Sequence, residues 1–197
     1  MTIAAFDFDG TLTKKDTMFA FIRFVKGDFY FIWGMLCISP TLILHKIGFL
    51  SAQKAKEKCL SFFFQHETEA DLYAYGSRFC REKMPDLLRP QALSCLKNHQ
   101  NQGHICYLVT ASLTFWTQKW AEEQGFMLVA TLPEIQNGRF TGKIVGKNCN
   151  GEEKVFRLLS VLSAEKNIEK KYAYGDTSGD TEMLKWADVA VFKPFAK

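Results

Sequence analysis

The sequence predicts an α/β fold, in which a mostly parallel sheet is covered by helices and a block of helices follows the first strand. Three observations lead to this prediction. A short apolar run at Ile3–Phe6 ends in an acidic, glycine-containing loop. The next stretch, about seventy residues long, has helical periodicity and no convincing strand. Beyond Pro85 and Pro90, strand and helix patterns alternate, which is typical of a parallel sheet with helices on both faces.

Composition is that of an ordinary globular protein. The chain has 197 residues, of which 47% are apolar and 23% charged, which suits one core domain with a small inserted segment. The formal charge of +4 is mild, and no basic run is interleaved with aromatics, so we expect no nucleic-acid partner. The six cysteines have no C-x-x-C or zinc-ligand spacing, and we expect them to be reduced and packed as small apolar side chains. No secretory signal is recognisable, and we expect a cytoplasmic protein.

The elements follow in order. Helices are predicted from Thr13 to about Met84, because Phe and Leu residues recur there at three-and-four spacing. The later elements are a helix at Gln91–Asn101, a strand at Ile105–Val109, a helix at Thr114–Gln124, an apolar segment at Met127–Ala130, a hairpin of Leu132–Ile135 and Phe140–Val145, a helix at Glu152–Leu162, and strands at Tyr172–Gly175 and Val189–Phe192 around a helix at Thr181–Trp186. We therefore assign residues 1–13 and 86–197 to the α/β core. Residues 14–85, the cap segment, form the inserted helical part.

The clearest chemical signal is the run Asp7-Phe8-Asp9-Gly10-Thr11-Leu12, directly at the end of the first predicted strand. Two carboxylates one residue apart can have different roles. One can act as nucleophile, and the other can exchange protons with the leaving oxygen. Gly10 permits a tight turn, and we expect Thr11 to hold the loop around the nucleophile. Taken alone, the run also fits a solvated acidic turn.

A second acidic loop, Gly175-Asp176-Thr177-Ser178-Gly179-Asp180, follows another short apolar run. Ligands of open α/β sheets bind outside the carboxyl ends of the strands, so we expect Asp176 and Asp180 to lie beside Asp7 and Asp9. Four such carboxylates repel one another strongly unless a divalent cation lies among them. The two loops together therefore predict a metal site with oxygen ligands.

Two more positions complete the pattern. Thr110, Ala111 and Ser112 stand between a predicted strand and a helix, where a hydroxyl and backbone N–H groups form a phosphate cradle. Lys154, early in the helix Glu152–Leu162, is expected to hold nucleophile and phosphate together with its positive charge. A lone lysine is usually a surface residue, and Lys154 stands out only by its order among the other motifs.

These residues occur in the order and contexts of the haloacid dehalogenase superfamily, which the chain resembles over essentially its whole length. The helical insertion after the first motif looks like the subgroup that contains phosphoserine phosphatase. The resemblance implies a Rossmann-like core, a small helical-bundle cap and a Mg²⁺-dependent phosphomonoester phosphatase acting on a small phosphorylated metabolite. A second aspartate at position 9 points to ester hydrolysis or to a mutase, and we expect the phosphatase. An inactive phosphate- or metal-binding module is a further alternative, although every position that the chemistry needs is intact.

The resemblance also implies a role for each site residue. Asp7 forms an aspartyl-phosphate, and Asp9 protonates the leaving group and then activates water. Thr110 and the N–H groups near Ala111 and Ser112 bind the transferring phosphoryl group, which Lys154 steadies. The expected ligands of Mg²⁺ are Asp7, the backbone carbonyl of Asp9 and Asp176, with Asp180 at the edge of the metal or acting through water.

Substrate preference is left open by Asp16, which lies nine residues after Asp7. Phosphoserine phosphatases place a glutamate there that grips the amine of the substrate. The shorter side chain, and Thr110-Ala111-Ser112 in place of a Ser-Gly-Gly-like motif, depart from the phosphoserine pattern. The alternative role of Asp16 is to cap a helix that begins near Thr17.

The segment Phe29–Leu44 carries no charge over sixteen residues and contains Pro40. A spanning helix needs roughly 20 apolar residues, with a floor of about 17, so the run is slightly short. We expect buried cap helices around a turn at Ser39-Pro40. The alternative is a membrane-touching cap that admits an amphiphilic lipid phosphate, similar to bacterial phosphatidylglycerophosphate phosphatases, in an enzyme peripheral to the inner membrane.

Overall fold

A computed structural model describes residues 1–162 and 167–195. Its strands are β1 (Thr2–Phe6), β2 (Ile105–Leu113), β3 (Met127–Thr131), β4 (Pro133–Gln136), β5 (Arg139–Ile144), β6 (Lys170–Gly175) and β7 (Val189–Phe192). Five of them form one sheet in the order β3-β2-β1-β6-β7, and every pairing within it is parallel. The predicted α/β fold with a mostly parallel sheet is confirmed.

Strand β1 occupies the middle of the sheet because it is apolar on both faces. Ile3 and Ala5 pack into one layer, Ala4 and Phe6 pack into the other, and all four are fully buried. The chain first builds β2 and β3 on one side of β1 and then β6 and β7 on the other side. Such a reversal of direction opens a crevice at the carboxyl ends of the strands, where ligands of open α/β sheets bind.

The cap segment is helical, with α1 (Thr17–Lys26), α2 (Asp28–Lys46), α3 (Ala52–Phe64), α4 (Glu69–Glu82) and the short α5 (Met84–Leu87). Asp16, Ser51 and Thr68 accept hydrogen bonds from the first turns of α1, α3 and α4, which explains where these helices begin. An isolated bridge pairs Thr13 with Leu88, so the segment enters and leaves the core at one place. Its assignment as a separate domain stays a prediction.

The rest of the chain contributes α6 (Pro90–Asn101), α7 (Thr114–Glu123), α8 (Glu152–Leu162) and α9 (Thr181–Trp186). Strands β4 and β5 form the predicted hairpin. Its turn residues Asn137 and Gly138 have φ values of 51° and 71°, the left-handed conformation of a two-residue turn with matching twist.

Helix α7 joins the cap segment to the sheet. The ring of Trp116 on α7 lies 5.0 Å from that of Phe21 on α1, and both belong to the apolar cluster that contains Phe6 of β1. Gly76 of α4 lies so close to the carbonyl oxygen of Phe115 that a Cβ there would clash. The cap helices therefore share one continuous core with one face of the sheet.

Helix α2 differs from its prediction. The expected turn at Ser39-Pro40 is wrong, because α2 is a single helix that continues through Pro40. Proline cannot donate to the carbonyl of Leu36 one turn earlier, and the hydroxyl of Ser39 donates to that carbonyl instead, at 2.7 Å. The expected burial is also wrong, since Gly34 and Ile38 are the buried residues of α2. Within the described ranges, α2 is the one helix long and apolar enough to qualify as a membrane-span candidate.

All six cysteines are described, and they are free thiols. Four of them are buried, and burial raises the pKa of Cys59 and Cys106 to about 12 and that of Cys80 and Cys149 to about 11. These four pack as small apolar side chains, as expected. Cys37 is exposed on α2 and departs from that expectation.

Candidate active site

Asp7 stands at the carboxyl end of β1, where its backbone N–H donates to the carbonyl of Tyr174 at 2.9 Å and extends the pairing with β6 by one residue. Its side chain is 9% exposed and contacts the ammonium group of Lys154. The same ammonium donates to Asp180 at 2.6 Å and is itself 2% exposed. The structure thus brings three of the predicted site residues into one buried ion cluster.

The charged groups of this cluster shift one another's pKa values. Burial raises the pKa of Asp7 to about 7, against the lowering effect of Lys154. Burial lowers the pKa of Lys154, but the carboxylates of Asp7 and Asp180 more than offset this and hold it above its usual range. Burial also acts to raise the pKa of Asp180, yet Lys154 and two backbone N–H groups hold it low. Lys154 and Asp180 therefore remain charged at neutral pH.

Asp176 lies beside these residues. Carboxylate oxygens of Asp7, Asp176 and Asp180 all lie within 4.8 Å of one another. This set of oxygen donors fits a hard divalent cation such as Mg²⁺. One oxygen of Asp180 accepts from the N–H groups of Asp176 and Thr177 at 3.1 and 3.0 Å, and the other accepts from Lys154. Asp180 is thus held by the loop and by Lys154, and the roles of these acids as metal ligands stay predictions.

Gly10 lets the two acidic loops approach each other. Its φ of +86° is left-handed, and a Cβ at this position would overlap the carboxylate of Asp176. Thr11 was expected to hold the loop around Asp7, but its hydroxyl donates to Asp176 at 3.0 Å. The first loop therefore orients Asp176 of the second loop. The sequence did not predict this contact, because the two residues lie 165 positions apart.

Asp9 is held by groups outside this acidic cluster. One carboxylate oxygen accepts from the backbone N–H of Thr17 at 2.6 Å, and the other accepts from the hydroxyl of Ser112 at 2.6 Å. The hydroxyl of Thr17 is in turn held by the indole N–H of Trp116 at 3.0 Å. Asp9 still lines the same cavity as Asp7, and its backbone carbonyl as a metal ligand stays a prediction.

The segment Thr110-Ala111-Ser112 lies within a strand rather than after it. Strand β2 continues to Leu113, with an irregular register between Thr110 and Leu113, and α7 begins only at Thr114. The N–H of Ser112 donates to the hydroxyl of Thr110 at 2.9 Å, and the hydroxyl of Ser112 donates to the carboxylate of Asp9. The segment therefore stands near the end of β2, and Leu113 separates it from the first residue of α7. Phosphate binding by these residues stays a prediction.

Asp16 caps α1 by accepting from the N–H of Phe19 at 3.2 Å. The residue is exposed, yet it borders the cleft between cap segment and core, and desolvation there together with the charge of Asp9 raises its pKa to about 6. The helix-capping interpretation thus describes its contact in the structure. The role toward a substrate amine stays a prediction.

Lys56 was not singled out from the sequence. Its ammonium group extends from α3 to the carbonyl of Ala111 and, at 3.0 Å, to the side chain of Asn148. Burial lowers its pKa to about 8, while the charges of Asp9 and Asp16 oppose that shift. The three lysines of α3, Lys54, Lys56 and Lys58, alternate along the sequence, and no local pattern distinguishes them. In the structure Lys56 is half-buried while the other two are exposed.

Two adjoining cavities open onto these side chains. The acidic cavity, of about 410 Å³, is lined by Asp7, Asp9, Gly10, Lys14, Lys15, Asp16, Ala111, Asn150, Lys154 and Thr177. The inner cavity, of about 260 Å³, lies between cap segment and core and is lined by Asp9, Asp16, Met18, Phe19, Leu42, His45, Ala52, Ala55, Lys56, Cys59, Ala111, Ser112 and Asn148. The two cavities share Asp9, Asp16 and Ala111, so they adjoin.

Comparisons with known proteins give related sequences over nearly the whole chain. A family model described as haloacid dehalogenase-like hydrolase matches residues 4–185. Protein CicA of Caulobacter vibrioides is 35% identical over 195 residues, covering 98% of this chain and 86% of that protein. Phosphoserine phosphatase SerB1 of Mycobacterium tuberculosis is 27% identical over 199 residues, covering 97% of this chain and 64% of that protein.

Solved structures share the fold. A protein of unknown function from Bordetella pertussis Tohama I has a TM-score of 0.82 at 28% identity, covering 95% of this chain and 88% of that one. A phospho-aspartyl intermediate analogue of phosphoserine phosphatase has a TM-score of 0.66 at 20% identity, covering 94% and 83%.

Proposed function

Because the chain belongs to the haloacid dehalogenase-like hydrolase family, we propose that it is a Mg²⁺-dependent phosphomonoester phosphatase acting on a small phosphorylated metabolite. The observation that carries the proposal is the buried ion pair of Asp7 and Lys154 beside Asp176. A carboxylate nucleophile, a fixed positive charge and oxygen ligands for a hard cation meet there at one point. Phosphoryl transfer depends mainly on such positioning and charge neutralisation. The phosphoserine phosphatases among the relatives and structural neighbours also support a phosphoric monoester hydrolase.

The reaction runs in two displacements. A carboxylate oxygen of Asp7 attacks phosphorus, the bond from phosphorus to the ester oxygen breaks, and Asp9 in its acid form donates a proton to that oxygen. Asp9 then accepts a proton from water, whose oxygen attacks the aspartyl-phosphate and releases phosphate and the carboxylate of Asp7. Lys154 offsets negative charge at Asp7 in both steps. Bound Mg²⁺, held by Asp7 and Asp176, would supply charge neutralisation for the phosphoryl oxygens.

The small-metabolite assignment is supported by the inner cavity. Its volume of about 260 Å³ suits a compact leaving group. Asp16 and Lys56 place one negative and one positive charge on its wall, which fits a polar or zwitterionic group.

A lipid phosphate is the second candidate substrate, and one observation favours it. Leu42 and His45 of α2 line the inner cavity, while seven other α2 side chains are large, apolar and exposed. An amphiphilic ester bound at Asp9 therefore lies next to an apolar helix. This candidate implies a cytoplasmic enzyme in contact with the inner membrane.

Phosphate release by the purified protein tests the proposal. We expect Mg²⁺-dependent hydrolysis of soluble phosphomonoesters, loss of activity with a chelator and recovery with added Mg²⁺. Asp7→Asn is expected to abolish turnover without unfolding the chain, whereas Asp86→Asn, at an exposed acid, is the matched control. A lipid phosphate presented in detergent is assayed in parallel, and its clear preference selects the second candidate. Release no faster than that of Asp7→Asn on any ester would favour the binding module, and insensitivity to chelator would exclude the metal.

A further inference from the structure

We infer that the exposed face of α2 docks on an anionic lipid membrane. This face, the α2 face, consists of Phe29, Ile32, Trp33, Leu36, Ile43 and Ile47, the last directly after the helix. The inference rests on the proposed function in one respect, since docking places the membrane beside the inner cavity of the proposed active site. Docking itself involves no catalytic step.

The α2 face is apolar where a soluble helix is normally polar. Phe29 is 87% exposed and Leu36 is 67% exposed. Phe29, Trp33, Leu36, Ile43 and Ile47 recur at multiples of the helical repeat and therefore share one side of the helix. A helix that is apolar all round is ordinarily buried in a core or in lipid, and a contiguous exposed apolar patch marks an interaction site.

The free charges beside this face are basic. Residues 23–58 contain six Lys or Arg and two acidic residues. Arg23 is paired with Asp28 and Lys26 with Glu67, and Lys56 extends into the inner cavity. The other three basic residues are exposed: Lys46, Lys54 and Lys58. Residues 29–45 carry no Lys, Arg, Asp or Glu. An apolar face with a basic border is complementary to a bilayer that contains anionic lipids.

Phe62 of α3 connects the α2 face to further lysines. It lines one surface groove together with Lys54, Lys58 and Lys143 and one acid, Glu57. The ring of Phe62 lies 5.8 Å from that of Trp33. Lysines therefore flank an aromatic contact, as at the boundary between headgroups and acyl chains, where Trp rings favour the interface.

The contacts of α2 indicate that it lies on a membrane rather than spanning it. Gly34 lies against Phe62 and Phe63 of α3 so closely that a Cβ would clash, and Ile38 is buried in the cap segment. Leu42 and His45 close one wall of the inner cavity. Spanning would break these contacts, whereas docking in the plane of the interface keeps them and orients the apolar side chains toward lipid.

The same charge argues against a second copy of the chain as the occupant. A two-fold dimer through the α2 face would bring the same patch of both copies together, including Lys54, Lys58 and Lys143. Like charges at such an interface repel each other, while an anionic lipid surface neutralises them. The membrane is therefore the occupant that the structure favours.

Vesicle flotation of the purified, full-length protein tests the inference. We expect binding to vesicles of phosphatidylcholine mixed with phosphatidylglycerol that is about tenfold or more tighter than binding to phosphatidylcholine alone, and that weakens with added salt. Asp7→Asn is expected to bind as the wild type does, so docking is measured apart from turnover. Failure to bind either kind of vesicle would overturn the inference and leave the proposed function standing if soluble esters are hydrolysed.

Two variants locate the surface. Leu36→Asp is expected to weaken vesicle binding about tenfold while hydrolysis of p-nitrophenyl phosphate stays unchanged. Phe156→Asp on α8 is the matched control, because Phe156 is also 67% exposed, and we expect it to change neither property. Equal vesicle binding by Leu36→Asp and the wild type would refute this assignment. A dimer seen by light scattering and abolished by Leu36→Asp, without vesicle binding, would assign the face to a second copy instead.

Discussion

The carboxylate of Asp9 and the backbone N–H of Thr17 are joined by a hydrogen bond of 2.6 Å. Asp9 belongs to the loop that follows β1, whereas Thr17 is the first residue of α1 in the cap segment. The other oxygen of Asp9 is held by Ser112 of β2. The proposed proton donor is therefore positioned by both the core and the cap segment, and a displacement of either one changes its geometry.

Ser112→Ala tests this positioning. The change removes one 2.6 Å hydrogen bond from Asp9, and we expect kcat to fall about tenfold to 100-fold with little change in KM, since proton transfer contributes roughly 10² to 10⁴ in rate. Steady-state kinetics on a soluble phosphomonoester measure the effect. Ser94→Ala, whose exposed hydroxyl bonds only within α6, is the control. A rise in KM alone would assign Ser112 to phosphate binding instead.

Lys154→Met leaves Asp7 and Asp180 buried without their shared counter-charge. We expect the free energy of unfolding to fall by about 3–5 kcal/mol at neutral pH and turnover to fall by about 100-fold or more. Urea unfolding and phosphate release measure the two losses. Lys185→Met removes an exposed pair with Glu182 and is expected to cost less than about 1 kcal/mol. Similar losses in both variants would disprove the special role of Lys154.

Gly10→Ala is expected to disable the acidic cluster. The added methyl group meets the carboxylate of Asp176, so we expect loss of turnover and loss of the thermal stabilisation that Mg²⁺ confers by binding the folded state. Gly48 supplies a close control, because its φ of +85° matches the +86° of Gly10 while no atom lies near its Cβ position. Gly48→Ala is expected to show backbone strain alone, about 1 kcal/mol. Retained Mg²⁺ stabilisation in Gly10→Ala would refute the close approach of the two loops.

Stability is expected to depend on pH through His99. This buried ring lies 2.8 Å from the ring of His104 and 2.8 Å from the hydroxyl of Tyr174, and burial followed by the charge of His104 lowers its pKa. The unfolded chain then binds a proton more readily than the folded one. The contribution to stability is present above about pH 6.5, the ordinary value for histidine, and is lost as pH falls below it.

Urea unfolding on either side of about pH 6.5 measures this dependence. His99→Gln keeps a polar side chain but removes the titrating group, so its stability is expected to vary less with pH than that of the wild type. His66→Asn, at an exposed histidine, is the control and is expected to leave the dependence unchanged. An unchanged dependence in His99→Gln would assign the effect to other groups.

Much of the fold follows from local patterns. The apolar runs of β1 and β6 and the Asn137-Gly138 turn of the hairpin were predictable because each reflects a few neighbouring residues. Helix α2 shows the limit of such patterns. Pro40 predicts a turn, yet the hydroxyl of Ser39 satisfies the carbonyl that Pro40 leaves without a donor, so the helix continues. A serine before a proline does not by itself predict this hydrogen bond.

By itself, the sequence determined the α/β class, the acidic residues that end two strands and the family to which these motifs point, because periodicity and short motifs are properties of adjacent residues. Only the tertiary structure decided which groups pair. Lys154 meets Asp7 across 147 positions, and Ser112 reaches Asp9 across 103 positions. The inward direction of Lys56 and the exposure of α2 were decided in the same way. Contact and burial depend on what the fold places opposite a side chain, and no local pattern carries that information.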